Sequence, residues 1–162
     1  MNTRRKRDGY FKHIKGSPEP LTMQIKRQVK FSEVDVMGIV WYGRYPGFFE
    51  EGAAALAEKC GLSYKDFYKA NLRAPIVQFH IDYYQPLVLD EKFTICVSFL
   101  WNEASKLETE FVLLKQDKSI AVTGYTVQMF TDSNTNKACL VVPELLERYH
   151  KRWKAGEFSC IK

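Results

Sequence analysis

The stretch Tyr45–Cys60, YPGFFEEGAAALAEKC, does most to limit what this chain can become, because it reads as one long helix inserted among strands. Tyr45, Phe49, Gly52, Leu56 and Cys60 recur at helical spacing, widened by Phe48, Ala53 and Ala57, while Glu50, Glu51, Glu58 and Lys59 favour other faces. Pro46 suits a first turn, where its missing N–H costs nothing, and Gly61 suits the stop. The run Gly52-Ala53-Ala54-Ala55 is small for a surface helix. Small side chains let a helix lie close against a sheet, so a central, largely buried helix is predicted.

Before it, Gln24 to Phe31 alternates as a strand, with Ile25, Arg27, Val29 and Phe31 opposite Gln24, Lys26, Gln28 and Lys30. After it, Leu62 to Asn71 predicts a short helix capped by Ser63. Strands are predicted at Ala74–Tyr84, Lys92–Trp101, Ser105–Gln116 and Ser119–Thr131. Phe93, Ile95, Val97 and Phe99 share one face, as do Leu107, Thr109, Phe111 and Leu113. Asn102-Glu103-Ala104 and Asp117-Lys118 are short enough for hairpins, so the sheet should be largely antiparallel. Lys137 to Val142 extends an edge, and Pro143 to Trp153 reads as a last helix. One strand, a long helix, then strands in series is an α+β order.

At 162 residues and 46% hydrophobic content the chain has the size of one domain. No apolar run approaches the roughly 20 residues that cross a bilayer, and no secretory signal is recognisable. The expected location is cytoplasmic. Cys60, Cys96, Cys139 and Cys160 are far apart and lack nearby histidines, so neither a zinc site nor a disulfide framework is indicated. Glu33 and Asp35 form a carboxylate pair that no histidine joins, so no metal is expected. The net charge of +5 is concentrated in Arg4, Arg5, Lys6, Arg7, Lys12 and Lys15. Without that head the chain is close to neutral, which argues against nucleic acid as a partner. Residues 1–22 are read as a basic, flexible extension, residues 23–155 as the domain and 156–162 as a tail. A phosphate-seeking role for the head is the alternative.

The segment Phe31–Glu51, FSEVDVMGIVWYGRYPGFFEE, carries the chemistry. It sets Asp35 in a turn between the first strand and a helix whose first turn offers unpaired N–H groups, a compact way to bring a carboxylate to an anion-stabilising site. Strand, acidic turn, Gly38, Ile39-Val40-Trp41-Tyr42 and helix resemble the signature of the 4-hydroxybenzoyl-CoA thioesterase family, with GIVWY resembling its aromatic acyl-CoA branch. Phe79–Pro86 with Leu89-Asp90-Glu91, and Val142–Leu145, resemble later segments of the same family. The resemblance implies a hotdog fold, in which a curled antiparallel sheet wraps one long central helix. It implies acyl-CoA thioester hydrolysis without a cofactor, the coenzyme A thioester being the substrate.

Asp35 is then the catalytic carboxylate, attacking directly or activating water, with backbone donors at Tyr42 and Gly43 polarising the carbonyl. Taken alone, Asp35 would more often simply cap a turn. Val40, Trp41, Tyr45, Phe48, Val77, Gln78 and Phe79 are candidates to line an acyl pocket, or else core. Arg44 stands where many relatives carry Asn; it contacts a phosphate or substrate carboxylate, or pairs with Glu50 or Glu51. Glu51 is a reserve catalytic carboxylate, and His80 reads as packed within a strand. A hydratase or dehydratase, and a non-catalytic acyl-CoA or acyl-carrier binding module, are the competing readings. Exposed sheet edges, and the habit of the family, imply a homodimer or homotetramer.

Overall fold

The computed structural model describes residues 9–161. The apolar spacing yields a helix, α1, over Tyr45–Cys60, closed by Gly61 in the left-handed conformation with its N–H donating to the Ala57 carbonyl. The chain runs β1 (Leu21–Gln28), α1, α2 (Tyr64–Lys69), β2 (Leu72–Arg73), β3 (Ile76–Tyr83), β4 (Lys92–Leu100), β5 (Lys106–Lys115), β6 (Ile120–Met129), β7 (Thr131–Asp132) and α3 (Glu144–Lys154). Five strands form one sheet in the order β1-β4-β5-β6-β3, paired antiparallel throughout, and β2 with β7 makes a small separate ladder. The sheet is open, with β1 and β3 at its edges.

Period-two alternation explains the core. Phe93, Ile95, Val97 and Phe99 of β4 and Leu107, Thr109, Phe111 and Leu113 of β5 are all buried. Gly52 brings α1 down onto β4: a Cβ there would lie 2.9 Å from Ile95 Cγ2. Phe49 stacks on Phe111 with ring centroids 4.3 Å apart, and Gly124 makes room, since a Cβ at that point would overlap the Phe49 ring and the His80 carbonyl.

Four expectations need correction. The first strand begins earlier and ends sooner than Gln24–Phe31, because after Gln28 the chain leaves the sheet for a 3-10 turn over Phe31–Glu33, exposing Phe31. That turn closes when the Glu33 carboxylate accepts the Lys30 N–H at 2.8 Å. The strand expected over Ala74–Tyr84 is interrupted by a bulge between Ile76 and Gln78. Lys137–Val142 does not extend the five-stranded sheet; its first residues pair beside β7 instead, Ala138 bridging Thr131 with the Asp132 N–H donating to the Lys137 carbonyl at 3.0 Å and the Cys139 N–H to the Phe130 carbonyl at 2.9 Å, while Leu140 and Val141 are exposed. Finally, α1 is buried on one side only. The sheet of a single chain covers Tyr45, Phe48, Phe49, Gly52, Leu56 and Cys60 and leaves Pro46, Gly47, Glu50, Ala54 and Glu58 in solvent.

Arg4, Arg5, Lys6 and Arg7 of the basic head lie outside the described residues. Tyr10 and Phe11, in contrast, rest on the outer face of the sheet. Tyr10 Oη donates to Asp82 Oδ2 at 2.7 Å, the Phe11 N–H donates to Glu110 Oε1 at 2.9 Å, and both rings lean on Tyr125. All four cysteines are free thiols, and burial pushes Cys60 up to about 12.

Candidate active site

Asp35 opens a four-residue turn. Its N–H donates to the Ile39 carbonyl at 2.9 Å, its carbonyl accepts the Gly38 N–H at 3.0 Å, and Gly38 takes φ of 74°. The carboxylate also caps the turn, Oδ1 accepting the Met37 N–H at 2.8 Å. Capping and chemistry are therefore compatible here: one oxygen orients the group, while no donor among the described residues reaches Oδ2. Half-buried itself, Asp35 is flanked by Val36 and Met37, both fully in solvent or nearly so.

The turn is held from two sides. Val34 bridges Val40, and the Trp41 N–H donates to the Glu33 carbonyl at 3.0 Å, which closes the loop at its base. Across it, the Val40 N–H donates to Leu87 O at 2.8 Å and the Leu89 N–H to Gly38 O at 3.1 Å, so the segment after β3 braces the loop. From Trp41 the chain enters a 3-10 turn, Tyr42–Arg44, that runs straight into α1. The first N–H with an acceptor in this turn is that of Arg44, bonded to the Trp41 carbonyl at 2.9 Å. Those of Tyr42 and Gly43 have no acceptor among the described residues, as expected of the first donors of a helical segment. Gly43 has a packing reason to be glycine, since the Trp41 indole folds over it and a Cβ would overlap the ring.

The other predicted residues divide. Trp41 and Tyr42 are exposed next to the turn, with ring centroids 5.1 Å apart. Val40, Tyr45 and Phe48 are buried in the core of the single chain: Tyr45 packs edge-on to Tyr83 and Phe48, and Phe48 against Phe93. Burial raises the Tyr45 and Tyr83 hydroxyls above their ordinary values. Val77, Gln78 and Phe79 lie exposed on edge strand β3. An apolar cleft of about 200 Å³, between α1 and α2, is lined by Ala53, Ala57, Leu62, Phe67, Phe99 and Leu107 and includes none of the predicted pocket residues.

Arg44 is exposed and pairs with neither Glu50 nor Glu51. Glu51, the reserve carboxylate, is instead bonded by Arg27 Nε at 2.7 Å. His80 faces outward from the sheet, its Nε2 3.1 Å from Asp82 Oδ2 and its ring stacked on Tyr125. No group of three metal-ligating side chains occurs among the described residues.

Sequence reasoning overlooked Arg27. Its guanidinium grips the Glu33 carboxylate by two bonds, Nη2 to Oε1 at 2.7 Å and Nη1 to Oε2 at 3.0 Å, and lies 4.6 Å from the centroid of the Phe48 ring. The Glu33 hydrogen bonds raise Arg27 further, and although burial pushes Glu33 up, Arg27 and the Lys30 N–H more than offset that and hold it below its ordinary value. A signal was available: Arg27 occupies the inward register of a strand whose other inward positions are Leu21, Met23 and Ile25.

An open antiparallel sheet curled over one long helix, with an acidic turn at the helix entrance, is the hotdog arrangement. The family model of the Thioesterase-like superfamily matches residues 29–149, and the chain belongs to that superfamily. YneP of Bacillus subtilis (strain 168), named as a candidate acyl-CoA thioesterase, is 37% identical over 60 residues, 37% of this chain and 44% of that protein. The 1,4-dihydroxy-2-naphthoyl-CoA hydrolase of Crocosphaera subtropica is 25% identical over 103 residues, 61% of this chain and 75% of that protein. The chain thus spans less than half of YneP and three quarters of the hydrolase. Among solved structures, a Staphylococcus aureus protein in complex with CoA superposes with a TM-score of 0.73 at 16% identity, over 90% of this chain and 88% of that one. No helix among the described residues is long and apolar enough to cross a membrane.

Proposed function

We propose that the chain hydrolyses acyl-CoA thioesters, with Asp35 as nucleophile or general base and the Tyr42 and Gly43 N–H groups receiving the developing oxyanion. The observation that carries this reading is the Asp35 carboxylate itself, oriented through Oδ1 by the Met37 N–H with Oδ2 left open, on a loop that ends one residue before the donors. Attack on a thioester carbonyl needs an oxygen delivered to carbon and oriented donors for the oxyanion, and this constellation supplies both without a cofactor. The names of YneP and of the naphthoyl-CoA hydrolase support the same chemistry.

The substrate is an aromatic acyl-CoA, as in the 4-hydroxybenzoyl-CoA branch. Two exposed rings, Trp41 and Tyr42, flank the turn, and the Crocosphaera relative is named for an aromatic acyl group. Aromatic pairs gain about 0.5–1.5 kcal/mol beyond burial, so a benzoyl-type ester should exceed acetyl-CoA in kcat/KM by roughly tenfold. A second copy completes the site. Ile76, Val77 and Phe79 stand exposed on an open strand edge, and pairing that edge with its symmetry mate would bury them beside the acyl group.

Release of free thiol from a panel of acyl-CoA esters tests the reading. Asp35→Asn should lower turnover on the order of 10² or more while leaving the fold intact. Near-normal turnover in that variant removes Asp35 from the chemistry. A hydratase would add water to an enoyl ester and release no thiol, and its usual acid–base histidine is poorly served by His80, which Asp82 holds on the outer face. A binding module would retain the ester intact.

A further inference from the structure

We propose that Arg27 is a positioning residue for the reaction, holding the Asp35 turn in register with the N–H groups of Tyr42 and Gly43. The proposal rests on the thioesterase reading above. It draws on three elements that meet at one guanidinium. Arg27 comes from β1. Glu33, which it binds through two oxygens, ends the turn that precedes Asp35, and Glu51, which it binds through Nε, lies on α1. Glu33 is the keystone of the loop: its carboxylate also accepts the Lys30 N–H, and its carbonyl accepts the Trp41 N–H. The chain from Glu33 to Trp41 is therefore a closed loop with Asp35 inside it and Tyr42 just past its end.

The distance between a carboxylate on that loop and donors at the entrance of α1 depends on how the loop base sits on the helix. Arg27 is the direct side-chain link between the two, through Glu33 on one side and Glu51 on the other. Its side chain is 15% exposed and that of Glu33 is 11%, so this pair is sheltered, while the Glu51 end of the link is more open at 43%. Packing over Phe48, a core residue one turn into α1, fixes the plane of the guanidinium as well. Lysine cannot reproduce this, because a single ammonium cannot fork to both Glu33 oxygens while reaching Glu51. Misplacing reacting groups by about 1 Å can cost on the order of 10² in rate even when the change is remote from the chemistry.

The test uses the full chain and four variants: Arg27→Lys, the neutral pair Arg27→Met with Glu33→Met, Asp35→Asn, and Arg27→Lys combined with Asp35→Asn. Arg27→Lys should lower kcat at least tenfold with KM changed less than about threefold. Amide hydrogen exchange across residues 34–41 should accelerate, a readout that needs no activity. If Arg27 acts through Asp35, the combined variant should be no slower than Asp35→Asn alone. The neutral pair guards against a folding failure caused by a stranded Glu33 charge, and it too should be slow yet folded. Wild-type kcat in a folded Arg27→Lys, unchanged exchange over 34–41, or losses that multiply with Asp35→Asn would each overturn the proposal. A wild-type chain that releases no thiol would instead overturn the thioesterase reading, and an Asp35→Asn variant as fast as wild type would remove Asp35 from the chemistry; the exchange measurement still decides whether Arg27 holds the loop.

Discussion

The two edges of the sheet are finished in opposite ways. On β1 the exposed positions are Thr22, Gln24, Lys26 and Gln28, and the inward Arg27 is spent on Glu33 and Glu51 of the same chain. On β3 the exposed positions include Ile76 at 56%, Val77 at 51%, Phe79 at 42% and Tyr83 at 51%. A polar, lysine-bearing edge discourages pairing with another chain, whereas an apolar edge with free backbone groups invites it. The Asp35 turn lies between these two treatments, closed at its base through Arg27 and Glu33 of the β1 side and braced by Leu87 and Leu89 after β3. On the proposed function, one edge would build the site from within the chain and the other would leave it open to a second copy.

The contrast is broken most severely at the turn itself, where Asp35→Asn should remove most hydrolysis. Next in size is a charge on the open edge. Val77→Lys should convert a dimer to a monomer in sedimentation and lower kcat/KM by tenfold or more, while Gln24→Lys on the closed edge should change neither. If both variants sediment alike, the edges are not different in the way described.

A smaller effect sharpens the closed side. Folding lowers the Glu33 carboxyl below its ordinary value, so its contribution to stability is fully present above the unfolded-state value and is lost as pH falls through the folded-state one. Glu33→Gln should therefore melt below wild type at neutral pH, with the gap in Tm narrowing through the acid limb. A gap that stays constant with pH would mean the carboxylate charge is not what matters.

The smallest effect concerns the outer face. Tyr10→Phe removes the hydroxyl shared with Asp82 and Thr123 and should cost about 1 kcal/mol in chemical denaturation, with thioesterase kinetics unchanged because the inner face is untouched. A kinetic change without a stability change would tie the N-terminal segment to the substrate instead.

Helix α1 was legible to the residue in the sequence, because sixteen positions with 3.6-residue periodicity, Pro46 at one end and Gly61 at the other leave few alternatives. The hairpin strands were legible for the same kind of reason, alternation bounded by short polar turns. The end of β1 was not. Val29 and Phe31 continue the alternation, yet the chain turns away because Glu33 offers its carboxylate to the Lys30 N–H and to Arg27, partners a local pattern does not reveal. The aromatic cluster around the motif divided in a way spacing alone could not predict. Tyr45, Phe48 and Phe49 went to the core, and Trp41 and Tyr42 to the surface, according to which side of the helix entrance the sheet covers.

What the sequence by itself determined is the order of elements, the burial register of the central strands and the motif that puts Asp35 ahead of a helix entrance; these follow from periodicity, capping and turn chemistry, all local. Only the tertiary structure decided that Leu87 and Leu89 brace the Asp35 turn, that Glu51 belongs to Arg27, and that the two sheet edges differ in character. Those outcomes depend on contacts between residues distant in the chain, such as Arg27 with Glu51 or Val40 with Leu87, and such contacts exist only once the sheet has curled over the helix.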